Sequence, residues 1–258
     1  MSGEHGKLVS GAAYRAHYDS LSGFEGVCTL ARARWNLEML AEAPAGRVLE
    51  VGCGSMILAR MAREVGIGFT SWTLVEPQED FVALARAAAA EDVRLGVVAG
   101  YLEAEGAALA AAEPEGFDTI LISSLLHETT QPGPLLAAAL ALARPGARLL
   151  ANVPNARSFH RLLAVEAGLI PAPETLSTRD AALGHPVVYD AETFRALLEN
   201  AGLVDVQIDG YLFKPFTHAQ MEKLLGPDDD ALVEGLIRLG RQFPDSAAEI
   251  CATGRKPG

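Results

Sequence analysis

A short apolar segment that runs directly into a glycine-rich turn, residues 48–56, constrains the fold more than any other feature of the sequence. It reads VLEVGCGSM, with β-forming residues around Glu50 and glycines at 52 and 54. From Met56 onward, apolar residues recur at the spacing of one helix face. Strand, glycine turn and helix predict the opening of a βαβ nucleotide-binding unit, in which glycines let the backbone approach a ligand that a Cβ would push away.

A second acidic residue ends the next predicted strand. This strand covers residues 72–75, and Glu76 follows it, 22 positions after Gly54. A carboxylate at this place can accept hydrogen bonds from both hydroxyls of a ribose, and such charge-assisted bonds are stronger than those of a neutral side chain. The glycine turn and Glu76 together predict a cofactor that carries an adenosine.

The glycine pattern argues against a dinucleotide. The GxGxxG fingerprint needs a third glycine at position 57, where this chain has Ile57. A nicotinamide-dependent oxidoreductase is therefore the less favoured alternative. Gly52 and Gly54 taken alone also fit a purely structural loop between a strand and a helix.

Length, composition and charge indicate an α/β enzyme. The 258 residues suit one domain, with or without an insertion, and half of them are hydrophobic. We find no apolar run long enough to span a bilayer and no secretion signal at the N-terminus, so we expect no membrane association and a cytoplasmic protein. The net charge of −12 argues against nucleic acid as a partner, which leaves a small molecule as the expected substrate.

The cysteine pattern predicts neither disulfides nor a metal. The three cysteines, Cys28, Cys53 and Cys251, are too few and too scattered for a disulfide framework or a zinc site. No clustered pattern of metal-ligating side chains is apparent either. We expect no bound metal.

Strands alternate with helices along the chain, which predicts a Rossmann-like, doubly wound sheet of seven mostly parallel strands. Residues 11–41 read as helical. The other predicted helices are 81–90, 134–143 and 191–200, and the predicted strands are 48–51, 72–75, 94–99, 117–123, 147–153, 203–209 and 248–254.

The ExGxG motif followed by an acid after the second strand resembles the class I S-adenosylmethionine-dependent methyltransferases. Residues 117–128, FDTILISSLLHE, are similar to the family's fourth motif, whose strand end faces the donor methyl. Residues 142–154, LARPGARLLANVP, are similar to the turn and fifth strand that follow. Later segments resemble a bacterial subgroup that acts on small molecules in sugar, polysaccharide or secondary-metabolite pathways.

This resemblance implies S-adenosyl-L-methionine as the cofactor and a set of residues that bind it. Glu50 would hold its amino group, the turn would line its methionine end, and Glu76 would hold its ribose. The family often has glycine where Met56 stands, so the methionine end of the cofactor would meet a tighter wall. It often has aspartate where Tyr101 stands, so adenine would be recognised by backbone and stacking. The implied cofactor residues are Tyr14, Tyr18, Glu50, Gly52, Cys53, Gly54, Glu76, Pro77, Tyr101, Leu102, Ser123 and Ser124.

The resemblance also suggests a division of the chain. Residues 1–44 would form an N-terminal helical lid region, and residues 45–258 the methyltransferase domain. An insertion at 155–189, broken by prolines, would form a lid over the substrate.

Histidines are the candidate general bases. His127 follows the fourth strand by four residues and titrates in a suitable range for taking a proton from the acceptor. It could equally orient a loop or cap a helix. His160 and His185 are secondary candidates that could also be structural.

The lid carries cations in an otherwise acidic chain. Arginine pairs well with carboxylate or phosphate, so the lid cations and Lys214 predict a small polar, anionic acceptor that is methylated on oxygen or nitrogen. Arg179 could equally be a solvated surface residue. The candidate substrate residues are Asn155, Arg157, Arg161, Tyr211, Phe213 and Lys214, with the two aromatic rings as an apolar wall.

Two questions stay open at this point. The chain could bind the cofactor without transferring methyl, as a regulatory partner or as a catalyst that uses the sulfonium charge only electrostatically. The oligomeric state is also open, with a homodimer as one arrangement.

Overall fold

A seven-stranded sheet organises the computed structural model, which describes residues 23–177, 186–226 and 229–258. The strands lie in the order β3-β2-β1-β4-β5-β7-β6. Their bounds are β1 Arg47–Val51, β2 Ser71–Glu76, β3 Leu95–Ala99, β4 Phe117–Ser123, β5 Ala143–Pro154, β6 Val204–Tyr211 and β7 Glu249–Arg255.

The strands β1 to β5 pair in parallel, whereas β7 runs antiparallel to both β5 and β6. This sheet confirms the predicted Rossmann-like, mostly parallel fold. Because parallel neighbours need crossover connections, helices separate the first five strands and cover both faces.

The described helices flank the sheet on both sides. Their bounds are α1 Gly23–Ala41, α2 Leu58–Glu64, α3 Glu79–Glu91, α4 Leu102–Ala112, α5 Pro132–Leu142, α6 Phe159–Glu166, α7 Ala191–Asn200, α8 His218–Leu224 and α9 Asp230–Gln242, with a short 3₁₀ turn at Pro244–Ser246.

Two hydrophobic cores form, one on each face of the sheet. The first buries α1, α2, α3, α8 and α9, with Trp72 of β2 fully enclosed. The second buries α4, α5 and α7, with Phe117 of β4 and Phe194 of α7 fully enclosed. Successive strand residues point to opposite faces, so the near-continuous apolar strands of the sequence feed both cores.

The described part of residues 1–44 is a core helix. α1 is buried along most of its length and shares the first core with β1 and β2. The lid role predicted for residues 1–44 stays a prediction, and the predicted positions Tyr14 and Tyr18 lie outside the described residues. The same holds for Arg179 and His185.

The predicted elements agree with the structure apart from their ends and four omissions. β4 and α7 have the predicted bounds, whereas β5 begins at Ala143, directly after α5. Sequence reasoning missed the helices α4, α6, α8 and α9. Side-chain capping boxes mark two helix starts, Asp190 with Thr193 at α7 and Thr217 with Gln220 at α8.

The predicted substrate lid folds partly back on itself. Asn155 and Tyr189, at its two ends, form a parallel β-bridge. Within it, Arg161 on α6 donates from Nε to the carbonyl of Pro173 at 2.7 Å and from Nη2 to that of Thr175. In the described ranges, no helix is both long and apolar enough to cross a bilayer.

Candidate active site

A cleft of about 800 Å³ opens at the carboxyl ends of β1, β2 and β4. The turns that follow these strands form one wall, and α1 forms the opposite wall. In an open α/β sheet this edge is where ligands bind, because the connections diverge there.

The turn after β1 explains why glycine is needed at one position. Gly52 has φ +75°, a conformation that side chains rarely adopt, and a Cβ there would stand 3.1 Å from Leu125. Its N–H donates to the carbonyl of Val75 at 2.9 Å, which fixes the turn to β2. At Gly54, φ is +58° and nothing lies within 4 Å of the Cβ position, so the space above it is open to a ligand.

Glu76 ends β2 as a buried carboxylate fixed by the backbone. Its Oε1 accepts from the N–H of Gln78 at 2.9 Å, and its Oε2 accepts from the N–H of Gly54 at 3.2 Å and from the thiol of Cys53 at 3.8 Å. A carboxylate has about four acceptor sites, so further donors can still bind. Burial, together with the nearby carboxylates, raises the pKa of Cys53, which keeps this thiol a donor.

Glu50 on β1 is a buried carboxyl group beside the same turn. It is only 2% exposed, and the indole Nε1 of Trp72 donates to its Oε2 at 2.8 Å. Burial raises its pKa to about 8; the Trp72 bond opposes this shift and the charge of Glu76 adds to it. The group therefore sits mostly protonated at neutral pH, and a ligand cation beside it would favour the charged form.

The residues of α1 that line the cleft were not among the predicted site residues. Glu25, Thr29, Arg32 and Asn36 line the cleft. Their spacing of three and four residues puts them on one face of the helix. The signal in the sequence was this polar stripe within an otherwise buried helix, but a polar stripe ordinarily marks a solvated face.

The floor of the cleft is a closed ring of hydrogen bonds. Asn36 donates to Ser123 at 3.1 Å, Ser123 donates to Asn152 at 3.1 Å, and Asn152 donates back to Asn36 at 3.2 Å. Ser124, next to it, has φ +55°, and its N–H donates to the carbonyl of Asn152. Because both functions of the Ser123 hydroxyl are used, it serves as a fixed surface.

A family model described as a methyltransferase domain matches residues 29–208, which is most of the chain. The chain belongs to this methyltransferase family. Curated relatives agree: ubiquinone biosynthesis O-methyltransferases from Xanthomonas euvesicatoria and Burkholderia pseudomallei are 29% and 28% identical, over 68% and 71% of this chain and 70% and 75% of their own lengths.

Solved methyltransferases share the fold. An S-adenosylmethionine-dependent methyltransferase from Archaeoglobus fulgidus has a TM-score of 0.56 at 18% identity, covering 95% of this chain and all of its own. Phosphoethanolamine N-methyltransferase 2 of Haemonchus contortus, solved with S-adenosyl-L-methionine, has a TM-score of 0.60 at 18% identity, covering 88% of this chain and 52% of its own. The protein is an S-adenosyl-L-methionine-dependent methyltransferase of class I, as the sequence resemblance predicted.

The residues of the cleft suit this cofactor. Glycine backbone open to a ligand, a buried carboxylate at the end of β2 and a neutral carboxyl on β1 match an aminoacyl group joined to a nucleoside. All the described residues predicted to bind the cofactor line this one cleft: Glu50, Gly52, Cys53, Gly54, Glu76, Pro77, Tyr101, Leu102, Ser123 and Ser124. Among the described residues, no group of three or more His, Cys, Asp or Glu side chains could hold a metal ion.

The residues predicted for catalysis and for the acceptor are placed elsewhere. None of the following is among the described residues that line the cleft: His127, His160, Asn155, Arg157, Arg161, Tyr211, Phe213 and Lys214. The contacts of each residue, described next, explain why its side chain does not line the cleft.

The predicted histidines lie behind or beside the methyltransferase cleft. His127 is 4% exposed, and its Nε2 lies 3.9 Å from Oε1 of Glu128, which does line the cleft. His160 lies on α6, within the insertion. Asn155 is buried and donates to the carbonyls of Asp245 and Ala247, so it anchors the chain after β5.

Two of the predicted cations contact other groups of the protein, and the third is exposed to solvent. Arg157 is exposed, and Arg161 binds backbone carbonyls within the insertion. Lys214 is 5% exposed, and its Nζ lies 3.1 Å from Nδ1 of His218, whose Nε2 lies 3.4 Å from Oε2 of Glu25.

The two residues of the predicted aromatic wall lie in different surroundings, Tyr211 in the core and Phe213 half-buried between two exposed phenylalanines. Tyr211 is fully buried and stacks on Trp35 with ring centroids 6.3 Å apart. Phe213 packs between Phe159 at 5.0 Å and Phe243 at 6.3 Å.

Proposed function

We propose that this methyltransferase transfers methyl to a hydroxyl oxygen of a small polar metabolite, with a nitrogen acceptor as the second candidate. The single observation that carries the cofactor part is the cleft in which Glu50, Gly52 and Glu76 come together. The relatives named as ubiquinone biosynthesis O-methyltransferases favour oxygen. Sugars, natural-product intermediates and phenolic precursors all offer such hydroxyls.

The cofactor is proposed to lie along the cleft from Tyr101 to α1. Glu76 accepts from both ribose hydroxyls, the exposed ring of Tyr101 covers adenine, and the Glu50 carboxylate pairs with the ammonium group. Arg32, on α1, holds the carboxylate of the methionine moiety. The bound cofactor supplies an electrophilic methyl group, so the protein needs to align the acceptor and remove its proton.

The acceptor is proposed to bind at the α1 end of the cleft. Glu25 of α1 and Glu128 after β4 both line the cleft, and Arg32 already faces Glu249 at 2.7 Å. An anionic group on the acceptor would meet these carboxylates, so our proposal keeps a small polar acceptor and drops the requirement for a negative charge.

The proton is proposed to leave through Glu128. As the acceptor O–H bond breaks and the O–CH₃ bond forms, the proton passes to the Glu128 carboxylate, with His127 behind it as the group that orients or relays. The prediction of His127 as the base is thereby retained in indirect form.

Calorimetry and product mass test this proposal. We expect S-adenosylhomocysteine to bind the wild-type protein, and a panel of catechols, phenols, sugars and amines to yield a product one methylene heavier together with stoichiometric S-adenosylhomocysteine. NADH binding without S-adenosylhomocysteine binding would contradict the cofactor assignment. Binding without any methylated product would favour the non-methylating alternative.

With the acceptor found, His127→Ala and Glu128→Gln separate the two proton routes. We expect turnover to fall by about a hundredfold in the Glu128 variant, the usual scale for a positioned base, with unchanged cofactor affinity. A large loss in the His127 variant with normal turnover in the Glu128 variant would assign the base to the histidine.

A further inference from the structure

A chain of three buried polar side chains links the α1 wall of the cleft to the antiparallel edge of the sheet. Tyr211, the last residue of β6, donates its hydroxyl to Oε2 of Glu249 at 2.5 Å. Glu249, the first residue of β7, is paired with Tyr211 in the strand register. It accepts from Nε of Arg32 at 3.0 Å and from Nη2 at 2.7 Å.

This geometry fixes the plane of the Arg32 guanidinium. Two parallel bonds to one carboxylate use its Nε and Nη2, which leaves Nη1 for a ligand. The side chains of Arg32 and Glu249 are only 14% and 7% exposed, so water competes weakly for these bonds. Trp35, one turn along α1, stacks on the Tyr211 ring and holds the helix in place over the two strands.

The charge states support a fixed ion pair with a neutral phenol behind it. Burial alone would raise the pKa of Glu249, but the charge and hydrogen bonds of Arg32 and the Tyr211 hydrogen bond lower it, so the group is ionised. Burial and the charge of Glu249 raise the pKa of Tyr211 well above its usual value, so the phenol keeps the proton that it donates.

Arg32 is also the one cation among the described residues that line the cleft. The acidic residues that line the cleft are Glu25, Glu50, Glu76, Glu103 and Glu128. An unrestrained guanidinium would turn to one of these carboxylates. Pairing with Glu249 prevents this and keeps the free Nη1 edge aimed at one place.

We propose that Glu249 and Tyr211 are positioning residues: they orient Arg32, and through it the carboxylate of the cofactor's methionine moiety. This inference rests on the proposed function, which gives Arg32 that carboxylate. It adds that the affinity for the methionine end depends on β6 and β7, the antiparallel pair of strands far along the chain from the glycine turn.

The test compares two ligands by titration calorimetry. S-adenosylhomocysteine carries the carboxylate, whereas 5′-methylthioadenosine keeps the nucleoside and sulfur but lacks it. We expect Arg32→Gln to weaken S-adenosylhomocysteine by about a hundredfold, as for a lost charge-assisted pair, and to leave methylthioadenosine within about twofold. Tyr211→Phe removes one oxygen atom and is expected to weaken S-adenosylhomocysteine about three- to tenfold, again without changing methylthioadenosine.

Two further variants guard the interpretation. Tyr189→Phe removes the hydroxyl of another buried tyrosine that packs on Phe194, and we expect it to change neither affinity. Glu249→Asp keeps the negative charge but shortens the side chain by one methylene group. We expect it to weaken S-adenosylhomocysteine selectively, as for Tyr211→Phe. This variant keeps the test valid if Tyr211→Phe does not fold.

The outcomes separate the two levels of the proposal. If wild-type protein binds neither ligand, the proposed function fails. If Arg32→Gln is selective but Tyr211→Phe and Glu249→Asp leave the ratio of the two affinities unchanged, or weaken both ligands equally, the positioning role is overturned.

Discussion

The two ends of the cleft are built in different ways. At the nucleoside end, each group comes from a strand or from the turn directly after it, and backbone N–H groups hold the buried Glu76. At the α1 end, proposed for the acceptor, side chains are positioned by contacts with other side chains. Glu25 of α1, for example, contacts His218 of α8. Backbone-built sites depend on local sequence, whereas the acceptor end depends on how distant helices pack.

This difference predicts that substitutions at the nucleoside end act on cofactor binding and those around the insertion do not. The three experiments below test that division, beginning with the largest expected effect.

Glu76→Ala should weaken S-adenosylhomocysteine binding by about a hundredfold or more, because two charge-assisted hydrogen bonds to ribose are lost. Titration calorimetry measures the effect. Glu103→Ala is the matched control, since this exposed acid lines the same cleft, and we expect less than about a threefold change. Similar losses in both variants would mean that general negative charge, and not the position of Glu76, matters.

Glu50→Gln should stabilise the unliganded protein at high pH. Burial raises the pKa of Glu50 to about 8, so the folded state holds its proton more tightly than the unfolded chain. The protonated Glu50 carboxyl therefore stabilises the folded protein at low pH. This stabilisation is lost progressively as the pH rises from the usual carboxyl pKa to about 8.

We therefore expect the melting temperatures of Glu50→Gln and wild type to differ little near pH 5, and the variant to melt roughly 10–20 °C higher near pH 9. Differential scanning fluorimetry across this range gives the answer. A difference that does not change with pH would show that Glu50 is not the titrating group.

Arg161→Ala should have the smallest effect on the cofactor. Its guanidinium binds carbonyls inside the insertion, so we expect faster proteolytic cleavage near residues 171–177 and S-adenosylhomocysteine affinity within about twofold of wild type. Exposed Arg157→Ala is the control and should change neither. A clear loss of cofactor affinity in Arg161→Ala would contradict the independence of the cofactor site from the insertion.

The sequence predicted the sheet, and it predicted which residues after the strands line the cleft, because both follow from local patterns. Gly52 needs its positive φ wherever this turn occurs, and Glu76 follows an apolar strand. Neither inference requires knowledge of a partner far along the chain.

The α1 wall could not be predicted in this way. Arg32 is held by Glu249, which lies more than two hundred residues later in the chain. Asn36 is likewise held by hydrogen bonds with Ser123 and Asn152, which are also distant in the sequence. The contact between Lys214 and His218 could not be predicted for the same reason: a cation after a strand can face a ligand or a histidine, and only the packing of distant elements places them together.

The position of β7 has a consequence for synthesis of the chain. This strand is inserted between β5 and β6, although it is the last of the seven to be made. Roughly a hundred residues separate the end of β5 from β7. At a synthesis rate of about 5–20 residues per second, the outer edge of β5 stays unpaired for about 5–20 s until β7 is made. An unpaired apolar edge is a template for intermolecular pairing, and during that interval the nascent chain depends on chaperones or on slow encounter with other chains to remain monomeric.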